Sequence, residues 1–156
     1  MLRFALMVGG VLAADQALKY YVLYTLGLME VKVIEVTSFF NLALAWNTGI
    51  SFSLLDGGEE TRWLLTAGMA AITLVLIVWY FRTTDALPRL ALPVVVGGAL
   101  GNIADRVQYG AVVDFLDFHY AGYHWYTFNI ADTAIVGGAL LLLLDSFRGT
   151  SGQETE

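Results

Sequence analysis

Two long stretches without a charged residue constrain this chain more than any other feature. Residues 63–81 run for 19 positions, and residues 90–104 for 15, without Asp, Glu, Lys or Arg. A helix needs roughly 20 apolar residues to cross the hydrocarbon core of a bilayer. Because 58% of the 156 residues are hydrophobic and only 14% are charged, the chain is also too apolar for an ordinary soluble domain. We therefore expect a membrane protein.

The predicted fold is mainly α-helical, with four transmembrane helices in a single integral-membrane domain. The outer two helices are apolar stretches that polar residues interrupt, whereas the middle two contain the uncharged runs. Since the connection between the second and third helices is short, nothing in the sequence divides the chain into domains. The helices are predicted at about residues 4–27, 62–82, 88–108 and 130–147.

Basic residues near the predicted helix ends indicate the orientation. Four arginines fall on one side of a four-helix arrangement: Arg3, Arg82, Arg89 and Arg148. Since Lys and Arg accumulate in cytoplasmic loops, both termini and the tail at 149–156 are expected to be cytoplasmic, and segments 28–61 and 109–129 periplasmic. The net charge of −6 gives no indication of nucleic-acid binding.

The two outer segments differ in composition. Residues 30–56 contain β-branched, aromatic and aliphatic side chains in partial alternation, which predicts a small β-rich segment at the membrane surface. Residues 107–129 contain eight Phe, Tyr and Trp residues. Because such rings prefer the headgroup level, this segment is predicted to be an irregular loop that follows the interface.

Asp114 and Asp132 are the best candidates for chemistry. The third helix runs outward and the fourth begins outside, so both carboxylates are expected at the outer surface. A carboxylate pair that shares one proton can activate water, as in an aspartic protease. The alternatives are a helix start, with Asn129 as N-cap and Asp132 in the first turn, and an ordinary loop acid at Asp114. Spacing alone leaves these alternatives open.

Asn102 and Arg106 lie four residues apart and therefore share one face of the third helix. They either support the site or hold a substrate carbonyl. Alternatively, Arg106 extends to the interface at an ordinary helix end. The glycines at 97, 98 and 101 allow another helix to approach closely.

Three further groups are less specific. Asp15 and Lys19 are spaced for an ion pair within the first helix, and a structural role is favoured for them. Asn47 and Gly49 indicate either a turn or a contact to a substrate backbone. His119 and His124 form a poor zinc pattern without cysteine, so we expect no metal and no cofactor.

Five sequence blocks together closely resemble the bacterial lipoprotein signal peptidases, also called signal peptidase II. They occur in order and cover most of the chain. The blocks are Asp15-Gln16-Ala17-Leu18-Lys19, Asn47-Thr48-Gly49-Ile50-Ser51-Phe52, residues 97–106 (GGALGNIADR), Val112-Val113-Asp114-Phe115 and Phe128-Asn129-Ile130-Ala131-Asp132. The chain departs from the family pattern at Ser51, where alanine is usual, and at Tyr126, where proline is frequent.

The resemblance implies an aspartic endopeptidase of the bacterial inner membrane. It would remove the signal peptide from a prolipoprotein by cleaving before the diacylglyceryl-modified cysteine, and a cyclic lipopeptide of the globomycin type would inhibit it. Asp114 and Asp132 match the catalytic pair. The residues that match supporting or substrate-binding positions are Asn47, Gly49, Asn102, Arg106, Asn129, Asp15 and Lys19.

Two other classes of function compete with this interpretation. A small proton- or ion-coupled carrier would use Asp15, Lys19, Asp114 and Asp132 as a relay, although internal repeats are absent. A non-catalytic scaffold would use the glycine-rich helices to bind a partner. Because four helices can enclose the site, we expect a monomer surrounded by membrane lipid.

Overall fold

The computed structural model describes residues 1–49 and 58–150 as a helix bundle with a small sheet at one end. A π-helical turn, Tyr21–Thr25, extends the first helix. The helices are α1 Leu2–Tyr20, α2 Leu28–Val31, α3 Gly58–Arg82, α4 Ala86–Tyr109 and α5 Ile130–Thr150, and the strands are β1 Val33–Thr37, β2 Phe40–Asn47, β3 Val112–Tyr120 and β4 Tyr123–His124. The four long helices lie within a few residues of the predicted positions. Residues 50–57 of the outer segment, including Ser51, and residues 151–156 of the tail lie outside the described residues.

Large apolar side chains of α3 face away from the helix bundle, as a lipid environment requires. On α3, Leu64, Ile72 and Val75 are each more than 60% exposed, whereas several charged and amide side chains of the bundle are buried. Large apolar groups are favoured at a surface that faces hydrocarbon rather than water. The outward apolar surface therefore agrees with a membrane environment.

Three helices of the described chain are long and apolar enough to cross a membrane: Glu59–Arg82, Ala86–Tyr109 and Ile130–Phe147. The first helix differs from them because Arg3, Asp15 and Lys19 lie within its 19 residues. Two of these charges point into the bundle, where Asp15 and Lys19 are almost fully buried. Composition alone therefore identifies three of the four predicted spans.

Helix α4 is the centre of the bundle and contacts α1, α3 and α5. Its glycines permit this packing, as the sequence predicted. A Cβ at Gly97 would lie 2.7 Å from the Val11 side chain, and one at Gly98 would lie 2.5 Å from the Ala131 carbonyl oxygen. Close helix approach of this kind is typical of small residues in membranes. These glycines are thus used within the chain itself.

The sheet lies against the outer end of α4. Gly110 ends that helix at φ +81°, a conformation that favours glycine, and its N–H donates to the Arg106 carbonyl oxygen. The chain then turns directly into β3. All pairs are antiparallel in the order β1-β2-β3-β4, and Val113 and Phe115 pack with Val22, Leu23 and Leu28 beneath the sheet.

The prediction of strands in segment 30–56 is confirmed within residues 30–49 by β1 and β2, but the prediction of an irregular loop at 107–129 is wrong over much of its length. Residues 112–120 form the longest strand of the sheet, and β4 pairs with its end. The first four residues of β3 are all buried, so the strand lacks the alternation by which a half-exposed strand is identified.

Candidate active site

Asp114 lies within β3, where it is almost completely buried at 1% exposure. Its two carboxyl oxygens accept hydrogen bonds from the Nδ2 of Asn129 at 2.7 Å and of Asn47 at 3.1 Å. Burial, and after it the negative charge of Asp132, raise the pKa of Asp114 to about 7, although both hydrogen bonds act in the opposite direction. Asp114 therefore titrates near neutrality.

Asp132 lies in the first turn of α5, as predicted, and is half-buried. One carboxyl oxygen accepts from the Asn129 backbone N–H at 3.3 Å, and the Asn129 Oδ1 accepts from the Asp132 N–H at 2.8 Å. This reciprocal arrangement is a capping box. The other oxygen of Asp132 accepts from the Asn102 Nδ2 at 2.7 Å. Asp132 is thus both a helix-cap residue and a member of the polar cluster.

Asn129 connects the two aspartates. Its Oδ1 caps α5 while its Nδ2 contacts Asp114, the Val113 carbonyl oxygen and the Asn102 Oδ1. The side chain is completely buried. One amide therefore fixes the start of the Asp132 helix against the strand that carries Asp114.

The remaining predicted residues surround this pair from β2 and α4. Arg106 is 6% exposed, so the alternative in which it extends to the interface is wrong. Its Nη2 donates to the Gly49 carbonyl oxygen at 3.3 Å, and the Gly49 N–H donates to the Asn47 Oδ1 at 3.3 Å. The Arg106 Nε is buried without a partner among the described residues. The chain after β2 is thereby held next to the pair.

Asp15 and Lys19 form the predicted ion pair, at 2.8 Å. The sequence did not predict that Lys19 also pairs with Asp105 of α4 at 2.6 Å, or that the Gln16 Nε2 donates to Asp105 at 2.8 Å. Both residues belong to the quoted sequence blocks, but contacts between two helices depend on their relative rotation. Sequence spacing does not specify that rotation.

A second missed contact lies in the sheet. The His124 Nδ1 lies 2.9 Å from an oxygen of the buried Asp117, and the His119 and His124 rings stack at 4.9 Å. Across residues 1–49 and 58–150, no three His, Asp or Glu side chains are arranged to hold a metal ion. The histidines instead join β3 to β4.

A cavity of about 540 Å³ opens over Asp114. Its floor is formed by β2 and Asp114, and its other side by residues 123–127. The lining includes Asn47, Trp46, His124, Trp125 and Tyr126. A short polypeptide segment can thus reach the Asp114 carboxyl group, which is otherwise buried away from bulk water.

Comparisons with known proteins identify the family to which the chain belongs. The sequence model described as Signal peptidase (SPase) II matches residues 7–148. A "Lipoprotein signal peptidase" of Rhodopseudomonas palustris (strain TIE-1) is 49% identical over an alignment of 143 residues, and the match covers 88% of this chain and 87% of the relative. Another of that name, from Methylocella silvestris, is 41% identical over 152 residues, which are 97% of this chain and 89% of the relative.

A solved structure described as a bacterial membrane enzyme is similar with a TM-score of 0.80 and 30% identity. The match covers 100% of this chain and 94% of that one. Sequence and fold thus agree over almost the whole length. The chain belongs to the signal peptidase II family, a family of membrane proteases that process lipoprotein signal peptides.

Proposed function

We propose that this chain is an aspartic endopeptidase that cleaves a prolipoprotein directly before its diacylglyceryl-modified cysteine, with Asp114 and Asp132 as the catalytic pair. The contacts of Asn129 carry the proposal, because one buried amide binds Asp114 and caps the helix turn that presents Asp132. Two carboxyl groups held together, one of which retains a proton, can perform acid and base steps together. The raised pKa of Asp114 agrees with such a pair.

In the proposed reaction, Asp114 holds the proton at rest and Asp132 is the base. Asp132 accepts a proton from water while the water oxygen attacks the scissile carbonyl carbon, and Asp114 donates its proton to the carbonyl oxygen. The tetrahedral intermediate then collapses, the C–N bond breaks, and the proton on Asp132 passes to the leaving amine of the cysteine. Asp114 recovers its proton from the intermediate, so the enzyme is regenerated.

The supporting residues orient this pair. Asn102 and Asn47 each donate to one of the two carboxyl groups. Arg106 holds the Gly49 carbonyl oxygen, and we assign its Nε, which has no partner within residues 1–49 and 58–150, to the substrate backbone. Asp15 and Lys19 support the site from α1 through the buried ion pair that they form.

Two apolar grooves, one lined by Asp132 and the other by Arg106, fit a lipidated substrate. One, of about 430 Å³, follows α5 from Asp132 to Leu140, and the other, of about 360 Å³, extends from Arg106 between α3, α4 and α5. Eight residues of helix span roughly 12 Å, a length that suits part of an acyl chain or an apolar signal helix. Grooves that begin at the polar cluster and continue among apolar side chains support a lipidated substrate.

Cleavage of synthetic prolipoprotein peptides by the purified chain tests the proposal. The diacylated peptide should be cut before its cysteine, whereas the peptide with unmodified cysteine should be cut far more slowly, because acyl burial supplies binding energy. A cyclic lipopeptide of the globomycin type should compete with the diacylated substrate, and the active species should be a monomer. Equal rates with both peptides would contradict the proposed substrate.

The proposed topology has four spans, with α1 as the fourth, both termini in the cytoplasm and the pair on the periplasmic side of the inner membrane. The chain has no cysteine, so single cysteines can be introduced at Tyr120 and Thr84, which are both exposed. A membrane-impermeant thiol reagent added to intact spheroplasts should label position 120 and leave position 84 unlabelled. The reverse pattern would place the pair on the wrong side for a translocated precursor.

A further inference from the structure

Beneath the proposed catalytic pair lies a buried unit of three charges, formed by Asp15, Lys19 and Asp105. The Lys19 Nζ lies 2.8 Å from Asp15 and 2.6 Å from Asp105, and the three side chains are at most 3% exposed. Gln16 donates to both carboxylates, at 3.2 and 2.8 Å. A buried ion pair is rarely more stabilising than apolar side chains of similar volume, so folding stability alone does not explain this unit.

The carboxylates of Asp15 and Asp105 each accept a hydrogen bond from one backbone N–H group. The Asp15 Oδ1 accepts the Ala131 N–H at 2.9 Å, and the Asp105 Oδ2 accepts the Val113 N–H at 3.1 Å. Ala131 directly precedes Asp132, and Val113 directly precedes Asp114. The unit therefore holds the residue before each proposed catalytic aspartate, one at a helix start and the other in a strand.

We propose that Asp15, Lys19 and Asp105 form a positioning clamp that sets the spacing between Asp114 and Asp132 through the Val113 and Ala131 amides. The inference rests on the proposed function for its catalytic consequence. Among the hydrogen bonds of the described residues, none joins Asp15 or Asp105 to either catalytic carboxyl group. The clamp thus acts through the backbone, and its members are positioning residues.

The local packing fits a clamp of fixed dimensions. A Cβ at Gly101 would lie 2.5 Å from the Asp15 Oδ2, so only glycine leaves Asp15 in its place. Lys19 also contacts the Asn102 Oδ1 at 3.4 Å, which connects the clamp to the amide that binds Asp132. Small displacements of reacting groups reduce rates strongly, so a rigid support on α1 and α4 has a direct catalytic effect.

The first test lengthens one carboxylate side chain of the clamp and keeps its charge. Asp105→Glu retains the pairing with Lys19 but moves the carboxylate by about one C–C bond, and we expect kcat for the diacylated peptide to fall 10- to 100-fold with KM within about threefold. Thr66→Val provides the control, because Thr66 is a buried polar residue of α3 whose hydroxyl donates to the Arg62 carbonyl oxygen of the same helix. Wild-type kcat in Asp105→Glu, or equal losses in kcat and folded protein, would contradict the clamp.

The second test does not depend on cleavage. In detergent micelles, backbone amide exchange followed by NMR should be slow at Val113 and Ala131 in the wild type. Asp105→Ala should accelerate exchange at Val113 by at least tenfold and Asp15→Ala should do so at Ala131, with other amides of α4 and α5 much less affected. Unchanged protection would overturn the clamp even in an active enzyme, whereas an inactive wild type with the expected exchange pattern would overturn only the proposed function.

Discussion

Asp114 and Asp132 are the same functional group held in two different environments. Asp114 lies in an inner strand of the sheet, is buried, and accepts from two side-chain amides. Asp132 is half-buried at the start of a helix, where a backbone N–H binds it and the helix dipole favours negative charge. The strand environment raises the pKa of Asp114 to about 7, whereas Asp132 lies in the capping box of α5.

This difference is the basis of the roles that we propose for the two carboxyl groups. Two carboxyl groups become an acid and a base when their surroundings separate their proton affinities. Burial and the charge of Asp132 raise the pKa of Asp114 to about 7, so Asp114 is suited to donate first. β3 and the start of α5 must then be held at a fixed separation. Asn129 and the proposed clamp of Asp15, Lys19 and Asp105 both contribute to this.

The largest expected effect comes from removing either carboxyl group. Asp114→Asn and Asp132→Asn should each reduce kcat by about 10³-fold or more, because an amide can neither donate this proton nor accept one from water. The measurement is cleavage of the diacylated peptide by folded, membrane-inserted protein. Glu35→Gln on β1 and Asp145→Asn near the other end of α5 are matched controls. Activity near that of the wild type in either active-site variant would remove that residue from the mechanism.

A smaller effect should follow from separating the two functions of Asn129. Asn129→Ala loses the cap and the Asp114 contact, so activity should fall about 10²-fold and stability by about 0.5–2 kcal/mol. Asn129→Ser keeps a good N-cap but is too short to reach Asp114, so thermal unfolding should recover while activity stays low. A serine variant with full activity would show that the bridge between strand and helix is dispensable.

The sequence predicted the helix side of the site better than the strand side. Asn129 and Asp132 carry a local signal, since an N-cap and an acidic residue three positions later mark a helix start, and the structure places α5 there. The strand with Asp114 was missed because its first residues are buried on both faces, so its sequence lacks the alternation of a half-exposed strand. Topology and the family resemblance thus both indicate Asp114 and Asp132 as candidate residues, whereas the element that carries Asp114 was not predicted.

The contacts between helices and strands could not be predicted from the sequence. The Asp15–Lys19 pair follows from spacing within one helix, whereas the contact of Lys19 with Asp105 depends on how α1 and α4 pack. Likewise, the burial of Arg106 depends on α3 and on the chain after β2. Local patterns specify which face a side chain occupies, and tertiary packing decides what it contacts.

The pH dependence sharpens the assignment of roles. As pH rises through about 7, Asp114 loses its proton, so kcat/KM should fall on the alkaline side with an apparent midpoint near 7. The hydrogen bond from Asn47 lowers the pKa of Asp114, so Asn47→Ala should move this midpoint to higher pH. Glu35→Gln should leave it unchanged. A midpoint that moves to lower pH in Asn47→Ala, or no alkaline decrease at all, would contradict Asp114 as the acid.

The smallest expected effect is a change in stability that opposes the loss of activity. The pKa of Asp114 is about 7 in the folded protein against 3.8 for the unperturbed group, so between these values the folded state binds more protons than the unfolded state. The contribution of Asp114 to stability is therefore complete below about pH 4 and is lost as pH rises through 7, by up to about 1.4 kcal/mol per pH unit.

Asparagine does not titrate, so Asp114→Asn should gain thermal stability relative to the wild type between pH 5 and pH 8, by a few degrees in the apparent Tm. Glu35→Gln, an exposed carboxylate in the same sheet, should show no such pH-dependent difference. Parallel Tm curves for the wild type and Asp114→Asn would mean that burial does not perturb this carboxyl group. A variant that is more stable but inactive would show that Asp114 is retained for chemistry at the expense of folding stability, as expected of a catalytic group held inside a sheet.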